Sequence, residues 1–279
     1  MSSIEIDEID EIDEKIQEFT RLIEKSSYFT IIIEGNDDYT IYEPLEDICE
    51  DAPKTVDILP VNGRPIALGV FNKLKDTEHM RKVAFIVDQD TWVHTGKPPE
   101  YEHERIVCTT GYSIENDIFI DRKLLYLMKS FDVYADFESY LNEYLKWYVL
   151  AIDRVINDTV IEGDSIDIRP HEYFKENKMA ELILCRENEV FSTNRFEEIY
   201  SDFSVKLRGK NLLYLFDWSA NNRIEKKKTT ALLKEGKQPK PKKMPSYNLK
   251  LIMEETPRTL RGDNLNRIFN NISALAMSN

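Results

Sequence analysis

Cysteine and histidine are scarce in this chain. Cys49, Cys108 and Cys185 are odd in number and show no C-x-x-C spacing, and the four histidines are scattered. This excludes a zinc-finger arrangement and suits a reducing compartment. Positive charge is also short, with 37 Lys and Arg against 51 Asp and Glu and a net charge of −14. A protein that coats nucleic acid nonspecifically is thereby excluded, because the phosphate backbone rewards broad positive surfaces. Any nucleic-acid contact is expected to be local and metal-assisted. No apolar run approaches membrane-spanning length and the acidic N-terminal stretch lacks a signal-peptide pattern, so a soluble, cytoplasmic protein is expected. What is present, 279 residues of which 42% are hydrophobic, suffices for one large core or two modest ones.

The first segment reads as an amphipathic helix, with Ile9, Ile12, Ile16, Phe19 and Ile23 recurring every three or four residues and nine acids against three cations over residues 1–25. A packing helix with a solvated outer face accounts for that pattern, and a partner-docking helix is the alternative. An apolar run at 28–33 reads as a strand, after which EGNDD opens a helix carrying Ile41, Leu45 and Ile48 on one face, with Asn36 or Asp37 available as its cap. The run VDILPV reads as a second strand, and the turn Asn62-Gly63-Arg64-Pro65 leads into a helix to about Asp76. KVAFIV and RIVCTT complete four strands. This rhythm predicts an α/β fold with a small parallel sheet. Beyond Asp117 long helices are expected at 117–130 and 136–157, then a connector at 158–168 and helical stretches at 171–188, 193–202 and 208–217. Phe131, Tyr134, Phe137, Tyr140, Tyr144, Trp147 and Tyr148 are dense here; they read as a helical core, with base stacking as the lesser alternative. Residues 1–25, 26–125, 126–202 and 203–279 are the expected divisions: helix, catalytic domain, helical insertion and C-terminal helical region.

Acids stand where the apolar runs end: Glu34 and Asp38 after the first, Asp88 and Asp90 after KVAFIV, Glu115 past RIVCTT. In a parallel sheet those ends lie side by side, in the crevice where open α/β sheets bind ligands. Carboxylates packed together raise one another's pKa unless a cation neutralises them, which points to a hard divalent ion and phosphate chemistry. Any one of these acids, alone, reads equally as a turn or cap residue. Gly111-Tyr112-Ser113-Ile114-Glu115 lacks the final glycine of a nucleophile elbow, and Arg208-Gly209-Lys210-Asn211 lacks the upstream glycine and following hydroxyl of a P-loop. ATP hydrolysis is therefore not expected of this chain.

The set IIIEGNDDYTIY, FIVDQD and GYSIEN resembles a Toprim domain, the metal-dependent module of topoisomerases, primases and OLD-family nucleases. It is closer to the OLD type, in which a second acid follows the first by four, as Asp38 does. There a Ser-x-Glu follows the D-x-D strand, matched by Ser113 and Glu115, and a lysine completes the site, matched by Lys210 in KLRGKNLL. The nearest likeness is to the Toprim effectors of PARIS anti-phage systems, covering about 26–120 and the RGKNLL return. The resemblance implies a Toprim-like sheet in which Glu34, Asp38, Asp88, Asp90 and Glu115 hold Mg²⁺ or Mn²⁺. Glu34, Asp88, Asp90 and Lys210 would carry catalysis, and Ser113 would orient a ligand. Arg64 would contact a phosphate or hold its turn. It further implies an endoribonuclease, with tRNA as substrate, kept inactive by an ABC-type ATPase partner and released, as a homodimer, on infection to stop growth. The alternatives are an OLD-like DNA nickase or nuclease and a non-catalytic regulator of the ATPase.

One stretch breaks the charge trend. Residues 223–243 carry Arg223, Lys226, Lys227, Lys228, Lys234, Lys237, Lys240, Lys242 and Lys243 against Glu225 and Glu235, which leaves −21 on the rest of the chain. It reads either as a solvated loop or as a grip on a phosphate backbone or an acidic partner, with Lys226, Lys227, Lys228, Lys240, Lys242 and Lys243 as the contacts.

Overall fold

A computed structural model of the chain describes residues 3–175, 178–221 and 248–278. In chain order these form α1 (Ser3–Lys25), β1 (Phe29–Ile33), α2 (Asn36–Tyr42), α3 (Pro44–Ile48), β2 (Val56–Pro60), α4 (Arg64–Leu74), β3 (Val83–Val87), α5 (Trp92–Thr95) and β4 (Ile106–Cys108). There follow α6 (Ile114–Asp121), α7 (Leu124–Ser130), α8 (Tyr134–Ile156), α9 (Pro170–Tyr173), α10 (Lys178–Leu182), α11 (Thr193–Ser201), α12 (Phe203–Lys206), α13 (Gly209–Asn221), α14 (Leu249–Thr259) and α15 (Asp263–Met277). The chain divides into two compact units, neither continuous in sequence. One comprises residues 1–89, 97–109 and 253–279; the other comprises 90–96 and 110–252. The contiguous division expected from sequence differs from this one: α1 and residues 253–279 join the sheet, and residues 110–125 join the helices.

The sheet unit is α/β. Its four strands are all parallel in the order β2-β1-β3-β4. Every residue of β1 and of β3 is buried, as continuous β-branched and aromatic runs covered on both faces require. Burying each such side chain contributes about 1.5–3 kcal/mol relative to leaving it exposed. Ile16 and Ile23 of α1 are buried while its acids Asp10, Asp13, Glu14, Glu18 and Glu24 are exposed, in accord with a packing helix. A Cβ on Gly69 of α4 would lie 2.3 Å from Ile16 Cδ1, so α1 crosses α4 at a residue without a side chain. The helix expected after EGNDD is two helices that break at Glu43-Pro44, where proline starts the second. Gly35, not Asn36 or Asp37, is the N-cap of α2. Ile48 is exposed rather than part of the buried face. Tyr42 of α2 meets Phe269 of α15, with ring centroids 6.4 Å apart.

The helical unit is built on α8, in which Phe137, Tyr144, Trp147 and Tyr148 are almost wholly buried. These four are therefore core, while Phe131, Tyr134 and Tyr140 of the same stripe are half-buried. Tyr144 meets Trp147 and Tyr173 edge-on at 5.0 and 5.1 Å between centroids, and the Tyr173 hydroxyl donates to the Glu143 carbonyl at 2.7 Å. The expected helix at 117–130 is interrupted at Lys123, whose left-handed φ of 53° separates α6 from α7. Between 171 and 188 the described helices are the short α9 and α10. Arg154 of α8 makes two 2.7 Å bonds to Glu189, which ties the following irregular segment to the core. Among the described residues no helix is long and apolar enough to cross a membrane.

Candidate functional site

In a parallel sheet of this order the chain leaves β1 toward β2 on one side and returns to β3 on the other, so the connections diverge between β1 and β3. That divergence opens a crevice at the carboxyl ends of the two central strands, the usual ligand position in open α/β sheets. Glu34 directly follows β1 and Asp88 directly follows β3, with Ile33 paired to Ile86 so that β3 ends one residue beyond β1. The Asp88 amide donates to Glu34 Oε1 at 2.8 Å. Asp38 lies in the first turn of α2, and its Oδ2 is 3.3 Å from the point a Cβ on Gly35 would occupy. All three acids are half-buried. The loop after β3 is held from two directions. Gln89 donates its amide to Thr109 Oγ1 at 3.1 Å and its side-chain NH₂ to the Thr109 carbonyl at 2.9 Å. Arg64, at the start of α4, donates to the Gln89 carbonyl at 3.1 Å.

The remaining candidates lie in the helical unit. Asp90 adopts a left-handed φ of 47°, a conformation Asp tolerates better than most residues, and its amide donates to the Tyr112 carbonyl at 2.7 Å. Ser113 caps α6, and its hydroxyl donates to Glu115 Oε2 at 2.5 Å. Glu115 is therefore oriented by Ser113, and it is buried in the first turn of the helix rather than at a strand end. Lys210 is exposed in the first turn of α13. That turn is pressed onto the Ser113–Asn116 segment: a Cβ on Gly209 would fall 2.2 Å from Ser113 Oγ and 2.8 Å from Glu115 Cβ. The long helical stretch between Glu115 and Lys210 thus doubles back on itself.

Three residues that sequence reasoning passed over build this part. Asn116 closes the capping box with Ser113 and donates to the carbonyls of Ser204 at 2.8 Å and Leu207 at 2.9 Å. Asp117 accepts the amides of Thr110 and Gly111 at 2.9–3.0 Å. Gly209 permits the close approach. The Ser-x-x-Asn capping spacing is a local signal that could have found Asn116; the docking of 204–209 has no local signal.

The geometry pairs Glu34 with Asp88 and Ser113 with Glu115. Among the described residues, no group of three or more His, Cys, Asp or Glu is set to hold a metal ion. The donors are carboxylates throughout, which suits Mg²⁺ or Mn²⁺ rather than a soft metal. Lys226, Lys227, Lys228, Lys240, Lys242 and Lys243 lie outside the described residues. No protein-family model matches the chain, and no curated protein matches it.

Proposed function

We propose that the protein is a Toprim-type nuclease that hydrolyses phosphodiester bonds with Mg²⁺ or Mn²⁺, an effector of the AriB kind. The observation that carries this reading is the pairing of Glu34 with the Asp88 amide where the sheet's connections diverge. An acid after the first strand and a D-x-D after the third is the Toprim pattern, and the neighbouring places of Glu34 and Asp88 support that reading. Glu34, Asp38, Asp88, Asp90 and Glu115 are the residues that would hold the metal. When bound, the metal supplies a nucleophilic water at neutral pH and offsets charge on the leaving oxygen. The chain's own groups do the rest. Glu34 is held in place by the Asp88 amide. Ser113 keeps the Glu115 carboxylate in one orientation. Lys210 stabilises negative charge gathering on the phosphoryl group in the transition state. RNA, tRNA in particular, is the proposed substrate, and an AriA-like ABC-type ATPase is the proposed partner that holds the enzyme inactive until it is released as a homodimer. The basic segment 223–243 would serve substrate or partner.

The test is digestion of total tRNA and of supercoiled plasmid, side by side, by protein purified without the ATPase. With Mg²⁺ the wild type is expected to cleave tRNA, and Glu34→Ala and Asp88→Ala to retain the wild-type circular dichroism spectrum while losing at least about 100-fold in rate. Cleavage of plasmid alone moves the assignment to a DNA nuclease. Equal rates in wild type and variants would sink the nuclease reading.

A further inference from the structure

In the helical unit a run of close contacts ends on an exposed arginine. Asn211 of α13, which has no solvent-accessible surface, donates to the Ile166 carbonyl at 2.7 Å. Arg208, just ahead of α13, pairs with Asp167 at 2.8 Å, and the buried Tyr144 hydroxyl of α8 donates to the Ile168 carbonyl. Three successive residues of the connector are thereby held against α8 and the start of α13. The next residue, Arg169, is exposed and directly precedes α9, and its guanidinium carbon lies over the Tyr214 ring, 5.0 Å from the centroid. Tyr214 is half-buried on α13 and stands four residues after the exposed Lys210, so these two side chains are neighbours on one helix face. Two cations, Lys210 and Arg169, thus border one aromatic ring.

In a chain of net charge −14, that pair of cations is the feature to explain. Among the described residues no carboxylate pairs with Arg169 or Lys210, and no acceptor takes a hydrogen bond from either side chain. Arg208 beside them is different, because Asp167 matches its charge. The connector is held by Asn211, Arg208 and Tyr144, so the Arg169 guanidinium is not needed to hold it. Stacking on an aromatic ring fixes a guanidinium in place while its N–H edge stays available, and that planar fork matches a phosphate. Lys129 gives the contrast. It too lies over a ring, that of Tyr134 at 4.8 Å, but the Tyr134 hydroxyl donates to Glu138 at 3.3 Å, which puts a carboxylate beside the pair.

We infer that Arg169, held by Tyr214, seats the RNA backbone phosphate next to the one that Lys210 serves, so that the substrate strand runs along α13. This rests on the nuclease reading and adds to it a substrate contact on the connector, which carries no part of the Toprim resemblance. Tyr214 acts through Arg169 and is a positioning residue.

The test follows binding of fluorescein-labelled tRNA to the Glu34→Ala protein over a range of NaCl concentrations. Adding Arg169→Gln is expected to weaken binding about tenfold at low salt. It should also reduce the slope of log K against log salt by about 0.7–0.9, as one phosphate contact fewer requires. Lys129→Gln removes an equal charge elsewhere on the helical unit and should leave the slope as it was. Tyr214→Leu keeps both cations but frees the guanidinium, so Arg169→Gln added to it should weaken binding by less than Arg169→Gln does alone. Simple additivity of those two overturns the role of Tyr214. An unchanged slope in Arg169→Gln, or an equal fall in Lys129→Gln, overturns the subsite while the nuclease reading stands. A parent protein that does not bind tRNA overturns both.

Discussion

Asn116 has no solvent-accessible surface, and its side chain accepts the Ser113 amide at 3.0 Å while donating to the Ser204 and Leu207 carbonyls. Truncation to alanine removes all three bonds at once in a place water does not reach. Buried polar groups left unsatisfied cost about 1–3 kcal/mol each, and partial relaxation recovers some of that. Asn116→Ala is therefore expected to lower stability by about 3 kcal/mol, read as a fall in the urea midpoint; an unmoved midpoint refutes the bridging role. His94 makes a different kind of demand. It packs against Tyr112, centroids 6.4 Å apart, and burial, then the charges of Arg195 and Lys206, push its pKa from 6.5 down to about 4. The folded protein keeps the imidazole neutral, whereas the unfolded chain takes up a proton below pH 6.5. The stabilising contribution is thus complete above pH 6.5 and is lost as the pH falls from 6.5 toward 4. Its ceiling is about 3 kcal/mol, reduced by solvent reaching the partly exposed ring. His94→Phe should flatten the dependence of melting temperature on pH across that window, and parallel profiles for wild type and variant would contradict it.

At the scale of elements, the helical unit depends on how closely the start of α13 can approach α6. Gly209→Ala would place a methyl group 2.2 Å from Ser113 Oγ and 2.6 Å from Asn116 Oδ1, and neither atom is free to move without breaking the capping box. Overpacking of this kind costs about 1–3 kcal/mol. The expected result is a lowered melting temperature together with a fall in kcat greater than that caused by an alanine elsewhere on α13, because Lys210 moves with the displaced turn. Retained kcat at lowered stability would detach Lys210 from the reaction. This contact also marks the limit of what could be read in the sequence. The strands were legible because β1 and β3 are continuous β-branched and aromatic runs, and Gly63-Arg64-Pro65 announced α4. Glu34 and Asp88 were legible as acids on one edge because alternating strands and helices make a parallel sheet; that β1 and β3 are neighbours is a matter of strand order, which the alternation leaves open. The breaks at Glu43-Pro44 and Lys123 were missed because apolar periodicity continues across them. The return of α15 to the sheet, and of residues 204–209 to Ser113, are pairings set by packing between distant segments, which no local pattern encodes.

For the whole molecule, the balance of charge fixes how a divalent ion acts on stability. Residues outside 223–243 carry a net −21, so any added salt relieves some repulsion, and a specific site must be distinguished from screening. An ion that binds the folded state stabilises it by RT ln(1 + [L]/Kd), about 1.4 kcal/mol at ten times Kd, or roughly 2–4 °C in melting temperature for a chain of this size. Mg²⁺ is expected to give that rise above the level reached with NaCl at equal ionic strength. Glu34→Ala and Asp88→Ala, which remove carboxylates from the ends of β1 and β3, should keep the NaCl response and lose the additional Mg²⁺ increment. Lys210→Ala should keep both and still fail to cleave tRNA, because its charge is needed for the phosphoryl group and not for the ion. If Glu34→Ala gains as much from Mg²⁺ as the wild type does, the ion is screening a general negative surface, and the carboxylates at the strand ends are turn residues with no metal to hold.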